Sequence, residues 1–111
     1  MFTVENFIEL VKEDMCYTTC ETNNREDGLI SIIVKYEDYK TSTFHYYNIT
    51  VKGEIIHLYI FAEGIDDPID ILMPEDLKHA YNVMKAHDDL MWTIKEAIDR
   101  GDLTWSMFKH S

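Results

Sequence analysis

A chain of 111 residues, 46% hydrophobic and 28% charged, has room for one domain, and its near-average globular composition argues against disorder. Twenty-one acids against ten bases leave a net charge of −11, which opposes direct nucleic-acid binding and attachment to anionic membranes. No apolar run approaches a membrane span and no leader pattern opens the chain, so a cytoplasmic setting is expected.

The first predicted element is a helix over 3–15. Thr3 is its N-cap, and Phe2 and Phe7 form a hydrophobic staple across the cap. Val4, Phe7, Ile8, Val11 and Met15 repeat at helical spacing, with Glu5, Glu9, Lys12 and Glu13 facing water. Residues 16–22 (CYTTCET) suit a short strand, and NNREDG at 23–28 is turn chemistry. LISIIVKYE reads as a buried central strand, followed by TFHYYNITV and EIIHLYIFA, joined at Lys52-Gly53.

If Lys52-Gly53 is the turn, Val51 pairs with Glu54 and the register follows. One face then carries Ile49/Ile56, Tyr47/Leu58 and His45/Ile60, suited to the core. The other carries Asn48/His57, Tyr46/Tyr59 and Phe44/Phe61, an aromatic surface with polar punctuation. Residues 63–76 (EGIDDPIDILMPED) read as an ordered crossover, with Ile65, Ile69, Ile71 and Leu72 pinning it to the core.

A long helix begins at Pro74, with Glu75 and Asp76 in its first turn, and ends at Gly101. Leu77, Ala80, Met84, His87, Met91, Ile94 and Ile98 form its seam, and a kink or overhang is expected near His87. Asp102 can cap a short closing helix that uses Leu103, Trp105, Met107 and Phe108. The predicted fold is α+β: an N-terminal helix, a three- to four-stranded antiparallel meander, and a long and a short helix packed on one face.

Catalytic and metal signatures are missing from the sequence. Zinc binding by Cys16 and Cys20 would need ligands from His45, His57 or His79, and the spacing lacks the CxxC knuckle. His79 with His87-Asp88 resembles the histidine–aspartate ligands of metal-dependent phosphohydrolases, but those sites draw on several helices. There is no nucleophile elbow and no phosphate-cradling glycine loop, so the chain is expected not to be an enzyme and to need no cofactor.

What stands out is charge. Residues 63–76 carry six carboxylates and no base. In size, charge and element order the whole chain resembles the small acidic phage-encoded inhibitors, anti-CRISPR proteins and anti-restriction DNA mimics among them, though no single motif carries the likeness. The resemblance implies a protein–protein inhibitor in host-defence evasion. It would occupy the basic nucleic-acid-binding surface of a nuclease or CRISPR effector. The candidate contacts are Glu63, Asp66, Asp67, Asp70, Asp88, Asp89, Glu96 and Asp99, with Tyr46, Tyr59 and Phe61 as anchors. An immunity protein or antitoxin against a basic toxin, and a small metal-binding or regulatory domain, are the alternatives. A homodimer through the aromatic face also stays open.

Overall fold

The structure, a computed structural model, describes residues 2–15, 18–36, 45–62 and 65–102. The elements run α1 (Val4–Asp14), β1 (Thr18–Asn24), β2 (Ile30–Tyr36), β3 (His45–Lys52), β4 (Ile55–Ala62), β5 (Asp70–Leu72) and α2 (Leu77–Asp99). The strands form one antiparallel sheet in the order β1-β2-β3-β4-β5, a simple meander. The α+β class is as expected, with five strands where three or four were predicted. The expected closing helix and Phe44 lie outside the described residues.

Helix α1 forms where its caps dictate. The Thr3 hydroxyl accepts from the Asn6 backbone N–H while the Asn6 carboxamide oxygen accepts from the Thr3 N–H. This reciprocal pair satisfies two donors that the first turn leaves without helical partners. The helix buries Phe7 and Val11 completely.

The β3–β4 turn corrects the predicted register. Val51 pairs with Ile56 and Lys52 with Ile55, so Gly53 and Glu54 are the two central residues. Gly53 sits at φ +62°, a left-handed conformation that glycine adopts without steric cost. A turn centred on Lys52-Gly53 would have asked lysine for that conformation, and the glycine takes it instead. Every β3 residue is thereby paired two positions from its expected partner, with Ile49 opposite Leu58 and Tyr47 opposite Ile60. Because a shift of two conserves side-chain parity, both predicted faces survive.

The core lies between the sheet and the two helices. Ile32, Val34, Tyr47, Ile49, Leu58 and Ile60 meet Phe7, Val11, Leu77, Ala80, Tyr81 and Met84 in one buried cluster. Burying each large side chain stabilises the fold by roughly 1.5–3 kcal/mol. The helices are joined directly, since Phe7 meets Tyr81 edge-on at 6.1 Å and the Tyr81 hydroxyl donates to Asp14 Oδ2 at 2.8 Å.

Helix α2 starts later than predicted. Asp76 is its N-cap, accepting from the His79 N–H at 2.8 Å, and Pro74 and Glu75 precede it. Glu75 instead donates its backbone N–H to His79 Nδ1 at 3.2 Å. The end matches expectation: Gly101, at φ +85°, donates to the Ile98 carbonyl and Asp102 to that of Ala97, closing a Schellman motif. The buried positions are Leu77, Ala80, Tyr81, Met84 and Asp88, all in the first half of the helix. The seam thus runs through Asp88 rather than His87.

Candidate functional site

Among the described residues, no helix packs on the sheet's second face. On it Tyr46 stacks against Phe61 with ring centroids 4.7 Å apart and planes at 5°. Next come Tyr59 opposite Asn48, His57 opposite Thr50, and Ile55 opposite Lys52. Asn48 is oriented by its neighbour, the Ser31 hydroxyl donating to its Oδ1 at 2.9 Å. These strands floor a groove of about 690 Å³, which Arg25 and Leu29 border from the β1–β2 turn and Asp66 and Pro68 from the loop after β4. The anchors foreseen at Tyr46, Tyr59 and Phe61 therefore share one surface, each half-buried. Sequence reasoning missed that Arg25 joins them beside Lys52.

The acidic segment divides. Glu63 lies outside the described residues. Asp66, Asp67 and Asp70 are exposed, and among the described residues none of the three forms an ion pair. The expectation that isoleucines pin this segment is overturned. Ile65, Ile69 and Ile71 are 51%, 52% and 53% exposed and Met73 is 70% exposed, leaving Leu72 to pack against the core. The reason is that residues 70–72 form an edge strand instead of a crossover, and its pairing with β4 turns Ile71 to the uncovered face. The Asp70 carboxylate accepts from the Ile71 backbone N–H at 2.9 Å. That bond occupies a donor which an edge strand would otherwise offer to another chain.

The helix acids are unequal. Asp89 and Asp99 pair with Lys85 and Lys95 one turn earlier, so their charge is locally compensated, while Glu96 is exposed without an ion pair among the described residues. Asp88 must be withdrawn from the partner surface: it is 3% exposed. Helical spacing from Met84 carries it under the sheet, where His45 Nε2 lies 2.7 Å from its Oδ1. Burying a carboxylate is costly unless hydrogen bonds compensate, and this contact provides one.

Around that pair is a small polar cluster. The Tyr47 hydroxyl lies 2.7 Å from His87 Nδ1 and 3.5 Å from Asp88 Oδ1, so its single proton is held chiefly by the histidine. Burial, reinforced by the repulsion of His45, lowers the His87 pKa below 6.5, against the attraction of Asp88 and Asp70. A neutral ring leaves Nδ1 free to accept the Tyr47 proton, with the ring's own proton on Nε2 in that tautomer. The rings of His45 and Trp92 meet edge-on at 6.3 Å. The signal for this cluster was in the sequence, since His45 fell on the core face and a buried histidine needs a polar partner.

Half-buried Cys20 has its thiol pKa raised by burial, with Lys12 opposing, which makes it a poor nucleophile or metal ligand at neutral pH. Among the described residues no group of three His, Cys, Asp or Glu is disposed to hold a metal ion, and no helix is long and apolar enough to cross a membrane. No known protein family, curated protein or solved structure matches the chain.

Proposed function

We propose that this protein is a non-enzymatic inhibitor that docks on a basic nucleic-acid-binding surface of another protein, such as a nuclease or a defence effector complex. The observation that carries the reading is the β4–β5 rim. There Asp66, Asp67 and Asp70, without compensating cations among the described residues, alternate with exposed Ile65, Ile69, Ile71 and Met73. Carboxylates steer a basic partner and select against an acidic one, while exposed apolar side chains supply the area that holds it. A surface built only for solubility has no use for four large exposed apolar residues in nine positions. Glu96 extends the acidic field, and Asp89 and Asp99 add less because their lysines screen them.

The test is retention of partners from host lysate on the immobilised protein and on the triple reversal Asp66→Lys, Asp67→Lys, Asp70→Lys. All three positions are exposed, so the reversal should leave the fold intact. The native protein should retain a basic nucleic-acid-binding protein at low salt and release it at high salt or to competing DNA, and the reversal should retain none. Equal retention by both forms would refute the reading.

A further inference from the structure

The aromatic groove has its own charge pattern, which shares Asp66 with the acidic rim but does not rest on the function proposed for that rim. Along its floor, successive rows of the β3–β4 ladder present Phe61, Tyr59 with Asn48, His57 with Thr50, and Ile55 with Lys52. Rows are two residues apart, about 7 Å. Aromatic surface thus occupies one end and cations, Lys52 and Arg25, the other. Asp66 stands on the wall in the loop that turns back after Ala62, where the Ile65 N–H donates to the Ala62 carbonyl.

We propose that this groove binds a small aromatic anion, a planar ring bearing a phosphate as in a mononucleotide, with the ring over His57 and Tyr59 and the phosphate between Lys52 and Arg25. The groove is open along one side, and its lining mixes apolar surface with a few convergent polar groups. Ring faces provide stacking that tolerates any planar system. Asn48, whose Oδ1 is already taken by Ser31, has amide N–H donors to offer a ring edge, and Thr50 adds a hydroxyl between ring and phosphate. Asp66 at the far end favours a ligand that turns amino or hydroxyl donors that way and its anion the other.

A nucleic-acid strand fits poorly. It would carry phosphates past Asp66 and across a molecule of net charge −11, whereas a mononucleotide presents its charge at the cationic end alone. The competing group at that end is Asp27. Its Oδ1 accepts from the Leu29 N–H at 3.3 Å and lies 3.7 Å from Arg25 Nε. That backbone bond, and after it the fields of Arg25 and Lys52, lower its pKa, so all three side chains share one neighbourhood. A bound phosphate must compete with this carboxylate, and removing the carboxylate's charge should tighten binding.

The experiment is a nuclear magnetic resonance titration of the isotope-labelled protein with adenosine monophosphate, phenyl phosphate, adenosine and inorganic phosphate. Adenosine monophosphate should shift the amides of Thr50, Lys52, His57 and Tyr59 together along one saturable curve. Adenosine and inorganic phosphate should each bind at least about tenfold more weakly, because each lacks one half of the recognition. Lys52→Ala should weaken binding about tenfold, and Asp27→Asn, which keeps the acceptor for Leu29, should tighten it. Phenyl phosphate matching the nucleotide would assign the groove to aryl phosphates at large; a much weaker response would assign it to nucleotides. The proposal is overturned by no saturable shift from either aromatic phosphate up to about 10 mM, by inorganic phosphate binding as well as they do, or by Lys52→Ala binding as the native protein does.

Discussion

At the scale of single residues, the instructive group is the cluster under β3. A tyrosine hydroxyl, two imidazoles and a carboxylate occupy positions where the strand and helix patterns both call for apolar side chains. His87 carries the clearest consequence, because its Nδ1 accepts from Tyr47 only while the ring is neutral. Its pKa in the fold is depressed below 6.5, so the unfolded chain binds the proton more readily. The contribution of this residue to stability is therefore present above 6.5 and is lost as pH falls through the depressed value. His45 repels the added charge from the sheet, while Asp88 on the same helix and Asp70 on β5 moderate the loss. Denaturant midpoints measured between roughly pH 7 and 5.5 should fall in the native protein and fall less in His87→Gln. An identical slope in the two proteins would show that another group dominates that window.

At the scale of elements, α1 is held to the rest by α2 as much as by the sheet. Tyr81 does both jobs: its ring packs edge-on against Phe7 and its hydroxyl donates to Asp14 at the last turn of α1. Burial, and after it the bond to Asp14, raises the phenol pKa, which keeps the hydroxyl a neutral donor throughout the physiological range. Tyr81→Phe retains the ring contact and removes the bond, and should cost about 1 kcal/mol in chemical unfolding. Asp14→Asn, which preserves an acceptor, should cost less; equal losses would mean that the charge of Asp14 matters more than its geometry. The elements themselves were largely legible. Helical and alternating periods, the Thr3 cap and Gly101 marked out both helices and four strands, because those patterns report burial directly. Two features resisted. The edge strand Asp70–Leu72 is three residues long, and its isoleucines imitate core residues while lying on open surface. Asp88 reads as a surface acid because charge usually dictates exposure; here helical spacing overrides it, and polar groups on β3, His45 and Tyr47 among them, make that tolerable.

At the scale of the whole molecule, charge and shape are distributed unevenly. The helices and the β4–β5 rim expose most of the acids, while Arg25, Lys35 and Lys52 lie on or beside the uncovered sheet face. Among the described residues, the ion pairs with at least one exposed partner, Arg25–Asp27, Lys85–Asp89, Lys95–Asp99 and Arg100–Asp102, are all local in sequence and hold no elements together. Exposed pairs of this kind contribute about 0–1 kcal/mol each. A net charge of −11 on so small a fold meanwhile repels itself, and that repulsion destabilises the compact state. The balance should favour repulsion, so stability should rise with sodium chloride until the Debye length shrinks to about 3 Å near 1 M. Denaturation by urea, which adds no ions of its own, is the suitable measurement. A midpoint that falls with salt would instead give the ion pairs the larger share. Neutralising Asp66, Asp67 and Asp70 to Asn should produce part of the same gain at low salt and flatten the salt dependence, since these three lack compensating cations among the described residues. If the neutralised protein is the more stable one and has lost its salt-sensitive partner, the rim acids are kept for binding at a cost to the fold. If stability does not change, the three acids do not repel their surroundings, and the case for a rim maintained against the fold's own interest fails.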